Sequence, residues 1–127
     1  MKEFRNPKDI HAPLAAYTHQ IEVSNPQRWL VLSGQVGMLP DGTLPQDARG
    51  QFEIALDNIG KNLAATGMSV TDLVKLTFYL VDPLEPAFRR QALSAFLGDH
   101  TPCSTLIYVA ALASPALKVE IDAWACI

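Results

Sequence analysis

Apolar positions recur along the chain at two different periods, and their order predicts the architecture. Ile21-Glu22-Val23 alternates as a short strand, and Ser24-Asn25-Pro26 supplies the turn behind it. The stretch before it, with Asn6-Pro7 and Ala12-Pro13, reads as an irregular entry. Residues 28–36 form the next strand, dense in Trp29, Leu30, Val31 and Leu32. Near its end, Ser33-Gly34-Gln35 offers a bulge or a close backbone approach. Pro40-Asp41-Gly42-Thr43 is a turn. Over residues 47–66 the period changes: Ala48, Phe52, Ala55, Leu56, Ile59 and Leu63 recur every three or four residues and share one helical face. Asp47 is placed to cap the first turn, and Gly67 suits the left-handed residue after the last.

Residues 73–81 are apolar on both faces apart from Lys75 and Thr77, the pattern of a central strand. Pro86 opens a second helix with the stripe Phe88, Ala92, Ala95 and Phe96, and Gly98 ends it. Residues 105–112 and 118–125 close the chain as strands joined around Ser114-Pro115. The order β, β, α, β, α, β, β is an α+β pattern, expected to fold as one mixed sheet of six or nearly six strands with both helices on one face. In the last strand Val119, Ile121, Ala123 and Ala125 should meet the helices, while Lys118, Glu120, Asp122 and Trp124 point away. Leu106 and Tyr108 of the preceding strand are expected beside Trp124. A face both charged and aromatic is either solvated or an interface with a cleft, and the apolar content of so short a chain favours the interface.

Composition narrows the class without naming a function. A chain of 127 residues is expected to be a single domain, and 49 % apolar with 18 % charged residues excludes disorder. No stretch reaches the roughly 20 apolar residues of a membrane span. The start Met1-Lys2-Glu3-Phe4-Arg5 lacks the apolar run of an export signal. Cys103 and Cys126 have no metal-ligand or redox spacing, so a reduced, cytoplasmic chain is the expectation. A net charge of −3 provides no basic field for nucleic acid.

Conventional catalytic signatures are absent. His11, His19 and His100 do not combine with cysteines or acids at metal spacing, so no metal site is expected. Gly34-Gln35-Val36-Gly37 is too short for a dinucleotide fingerprint, and there is no nucleophile elbow or P-loop. Glu120 is the one acid that strand alternation sets among aromatic and apolar residues, where a carboxylate can shuttle protons; on these residues alone a solvated strand acid with a lysine nearby is the plainer reading. Tyr17 reads as a loop anchor before a catalytic phenol.

The ordered set Ser33-Gly34-Gln35-Val36-Gly37, Gln51, Ala55-Leu56-Asp57-Asn58-Ile59, Gly67, Asp72-Leu73-Val74-Lys75-Leu76-Thr77, Asp82, Val109-Ala110-Ala111-Leu112 and Val119-Glu120-Ile121-Asp122-Ala123 resembles the RidA family. That family is also called YjgF, or the L-PSP endoribonuclease-like family. The match runs in register over residues 12–125. The resemblance implies a chorismate-mutase-like α+β fold assembled as a homotrimer, with small-molecule clefts between subunits. It also implies hydrolysis of imines and enamines to a 2-oxo acid and ammonia without a cofactor. Glu120 matches the glutamate that orients or activates water, Tyr17 a tyrosine lining the pocket, and Ser33 and Gly34 a segment beside the ligand.

Three positions depart from the family pattern. The family's active deaminases carry Pro-x-Arg-Ser where this chain has Pro102-Cys103-Ser104-Thr105, so Ser104 stands at the substrate-clamping arginine. Leu106 replaces a cysteine and Arg90 an asparagine. A serine hydroxyl cannot supply the paired, charge-assisted hydrogen bonds of a guanidinium, and Arg90 is the candidate compensating cation. Three functions stand open on these residues: a divergent imine or enamine deaminase using Glu120 and water, a non-catalytic metabolite-binding trimer, and a ribonuclease or translation inhibitor. The acidic charge and the absence of a basic stripe or histidine pair weigh against the last.

Overall fold

The computed structural model describes residues 1–127. Strand β1 (Lys2–Arg5) pairs antiparallel with β2 (Gln20–Val23). β3 (Trp29–Val36) leads to helix α1 (Ala48–Ala65), and β4 (Leu73–Leu80) leads to helix α2 (Pro86–Leu97). β5 (Cys103–Tyr108) and β6 (Val119–Cys126) complete the chain. The main sheet is ordered β3-β6-β4-β5. β4 and β5 run parallel, as a crossover through a helix requires, and the other pairs are antiparallel.

Helix α1 forms where the 3.6-residue period predicts it. The Asp47 carboxylate accepts from the Gly50 amide at 3.2 Å, and Gly67 follows the last turn at φ +75°. Phe52, Ala55, Leu56, Ile59 and Leu63 are buried against Leu76, Phe78, Val119, Ile121 and Ala123. Phe52 stacks on Phe78 and meets Phe88 edge-on, joining both helices to the sheet. Both helices therefore lie on one face of a mixed sheet, and β4 is central, as the pattern predicts.

Five expectations are corrected. The six strands do not form one sheet: the hydrogen-bonded units are four strands and a separate two-stranded ribbon. β1 is a strand although three of its four residues are charged, because its ladder with β2 and the Arg5–Glu22 ion pair across it supply the order. β5 ends at Tyr108 because β4, its one ladder partner, ends at Leu80 in the same register. That register also turns Leu106 and Tyr108, opposite Phe78 and Leu80, toward the helix side; Thr105 and Ile107 share the open face with Trp124. In α2 the inward residues are Phe88, Ala92, Leu93, Phe96 and Leu97, and Ala95 is exposed.

Candidate functional site

The end of β3 is held from the helix layer. The Asn58 amide donates to the carbonyls of Val36 (3.0 Å) and Met38 (3.1 Å), and the Asn62 amide donates to Gln35 Oε1 at 3.1 Å. The ladder to β6 is interrupted between Leu32 and Gln35, so Ser33 and Gly34 form the bulge that the glycine predicts. On β6, Glu120 lies opposite Val36 on one side and Tyr79 on the other. Its partly buried carboxylate rests over Gly34, where an added Cβ would collide with it. Glycine at 34 is thus the space that this glutamate occupies. Beside it the Tyr79 hydroxyl donates to Asp122 Oδ2 at 3.1 Å. That bond, with the charges of Asp122 and Glu120, holds the phenol pKa above its ordinary value.

A second group gathers beneath α2. The buried Thr18 hydroxyl donates to the Thr101 carbonyl at 2.6 Å, pinning the loop that carries Tyr17 next to the start of β5. A cavity of about 310 Å³ opens there, with Tyr17, Ser104, Leu106 and Arg90 in its wall. The sequence-predicted Tyr17, Ser104 and Arg90 therefore meet, and so do all three departures from the family pattern. Arg89 also lines the cavity, its Nε donating to the Leu84 carbonyl at 3.3 Å. His100 is committed elsewhere, its Nε2 2.8 Å from the Leu73 carbonyl oxygen. Leu93 and Leu97 lie outside the stripe Phe88, Ala92, Ala95 and Phe96; their spacing of four from Arg89 along α2 is the signal that finds them.

One chain does not bring the two groups together. Ser104 sits opposite Leu76 on the helix side of the sheet, at its β5 edge. Glu120 sits opposite Tyr79 on the open side. The open side is strongly apolar for an uncovered surface: Trp29, Val31 and Trp124 are 49 %, 55 % and 46 % exposed, and the two indoles meet edge-to-face at 6.0 Å. Cys103 lies on the same face; burial favours its protonated thiol and raises its pKa, against the opposing pull of the Lys75 charge. No group of three or more His, Cys, Asp or Glu side chains could hold a metal ion. No helix is long and apolar enough to cross a membrane.

The family model described as Endoribonuclease L-PSP matches residues 8–127. The chain is 30 % identical over 116 residues to the 2-iminobutanoate/2-iminopropanoate deaminase of Escherichia coli K12, covering 88 % of each chain. It is 29 % identical to a RutC family protein of Pyrococcus horikoshii, over 97 % of this chain and 96 % of that one. Among solved structures, the Rid-family protein YyfB of Yersinia pestis superposes with a TM-score of 0.86 at 29 % identity, covering 99 % of this chain and 98 % of that one. RidA from Psychrobacter sp. PAMC 21119 gives a TM-score of 0.72 at 27 % identity, over 98 % and 99 %.

Proposed function

The chain belongs to the RidA/YjgF family, and from that membership we propose that it is a homotrimer whose intersubunit clefts hydrolyse an imine or enamine with Glu120 and water. The observation that carries this reading is the Glu120 carboxylate seated over Gly34 at the β3 bulge, an acid kept free of any ion pair inside the chain. Glu120 takes a proton from water as the oxygen attacks the imine carbon. The resulting carbinolamine then collapses: the C–N bond breaks, the carbonyl forms, and ammonia leaves with the protons delivered to nitrogen. Imine and water become a carbonyl compound and ammonia, with no oxidant or reductant.

The trimer is supported by the separation of the two residue groups, which a neighbouring subunit would complete, and by the half-exposed tryptophans of the open face. In that arrangement Tyr17, Ser104 and Arg90 come from one subunit, and Ser33, Gly34 and Glu120 from the next. Light scattering at micromolar concentration should give three times the 13.9 kDa chain mass; a stable monomer would overturn the shared cleft.

Ser104 favours a second reading, a trimer that binds a metabolite without turnover, because the strand guanidinium that would grip a small 2-imino acid is absent. The discriminating assay couples the protein to an enzyme that releases the imine and follows 2-oxo acid formation. Hydrolysis of 2-aminoacrylate and 2-iminobutyrate should be accelerated little by the wild type. Ser104→Arg should tighten binding of a small 2-oxo acid at least about tenfold, since hydrogen bonds to a charged group contribute roughly 1.5–3 kcal/mol. Robust wild-type turnover of these small imines would make the arginine dispensable. Failure to accelerate any imine, small or large, would leave the binding trimer.

A further inference from the structure

The cavity beneath α2 has one electrostatic sign. Its wall contains two arginines, the half-buried Arg89 and the exposed Arg90, and no carboxylate, in a chain whose net charge is −3. Arg90 makes no ion pair within the chain, whereas Arg49, elsewhere on the helix layer, is paired with Glu85. The remainder of the wall is largely apolar: Phe78, Leu93, Leu97 and Leu106 face the space. At about 310 Å³ the volume falls at the lower end of sites that enclose whole organic ligands.

Resting on the reading of this cavity as part of the substrate cleft, we infer that it takes a monocarboxylate with a branched or aromatic side chain, its charge held by Arg90 from the helix wall. A cation on α2, rather than on β5, approaches the ligand from the opposite wall to Ser104. The space between the walls is lined by leucines, so a two- or three-carbon acid reaching Arg90 would leave that space unfilled. A larger acid fills it, and each methylene buried strengthens binding about fourfold. The Ser104 hydroxyl then serves as a neutral partner. The Tyr17 oxygen accepts from the Leu14 amide at 3.2 Å and keeps its own proton to donate. Arg90 is the anchor rather than Arg89, whose Nε is already engaged by the Leu84 carbonyl.

Calorimetric titration of the full-length protein tests this with 4-methyl-2-oxopentanoate, phenylpyruvate, 4-methylpentanoate and pyruvate. The two large 2-oxo acids should bind at least about tenfold tighter than pyruvate. Comparison with 4-methylpentanoate separates the apolar and carboxylate contribution, which it keeps, from recognition of the 2-oxo group, which it lacks. Arg90→Gln should weaken binding about tenfold or more, and Arg90→Lys should retain part of the affinity as a point charge. Since Arg90 has no hydrogen-bond or ion-pair partner in the chain, both variants should fold, as circular dichroism would verify. Equal binding of pyruvate and phenylpyruvate, no binding of either large acid at millimolar concentration, or wild-type affinity in Arg90→Gln would each overturn the inference. The same titration with Glu120→Gln should show retained binding. If the large acids bind through Arg90 but no imine is hydrolysed, the hydrolase reading fails alone. If imines are hydrolysed through Glu120 and Arg90→Gln binds as the wild type does, this inference fails alone.

Discussion

Glu120→Gln should lower imine hydrolysis at least about a hundredfold while leaving the fold and ligand binding intact. Positioned general acid–base groups contribute roughly 10²–10⁴ in rate, and the amide keeps the shape of the side chain without its basicity. The measurement is turnover of the imines of branched and aromatic amino acids, generated in the assay by an amino-acid oxidase, with the variant beside the wild type. The loss should appear in kcat rather than in KM, because the proton transfer belongs to the transition state. Gly34→Ala provides the companion test from the opposite side of the contact. Its Cβ would collide with the Glu120 carboxylate, the far end of a flexible side chain, so the carboxylate must swing away while the sheet persists. A folded, trimeric Gly34→Ala with depressed turnover is the expected result. Activity within a few-fold of wild type in Glu120→Gln would remove Glu120 from the chemistry.

The largest expected effect on stability comes from Gln51, a fully buried amide on the first turns of α1. Its Nε2 donates to the carbonyls of Pro45 at 2.8 Å and Ala116 at 3.0 Å, and its Oε1 accepts from the Lys118 amide at 2.7 Å. One side chain therefore ties the entry to α1 to the loop that precedes β6. Gln51→Leu removes all three bonds and leaves three backbone groups without partners, so a loss of about 3 kcal/mol or more is expected. The check is urea denaturation at fixed protein concentration, since any self-association would contribute to apparent stability. A change below about 1 kcal/mol would mean that water replaces the lost partners. Gly37 belongs to the same junction: a Cβ there would run into the backbone of Gln51, so strand and helix approach too closely for any side chain.

Local periodicity makes most of the fold legible in the amino-acid sequence. The α1 stripe from Ala48 to Leu63 and the alternation Val119-Glu120-Ile121-Asp122-Ala123 each state which side chains must leave water, and the structure buries those residues. Asp47 as a cap and Gly34 as a bulge follow from the chemistry of single residues. The misreadings share a cause. β1 is a strand through pairing with β2 rather than through its own composition. The orientation of Leu106 and Tyr108 depends on which residue of β4 lies opposite each, and a slip of one residue reverses every side chain. In α2, Ala95 and Leu93 differ in burial because the helix is rotated by what it packs on, although both fit a stripe of threes and fours.

The candidate site divides along the same line. Glu120, Tyr17, Ser33, Gly34 and Ser104 could be selected from the sequence, and so could the family to which they point. Their arrangement could not. That Ser104 and Arg90 share a cavity under α2 while Glu120 stands on the opposite face depends on the register of three strand pairs and the seating of one helix. Sequence alone determined the alternation and the chemical types, because these reflect what each residue loses or gains on leaving water. Which residues then meet in one cavity, and which lie on opposite faces of the sheet, was decided by long-range packing, whose contacts join positions as distant as Thr18 and Thr101.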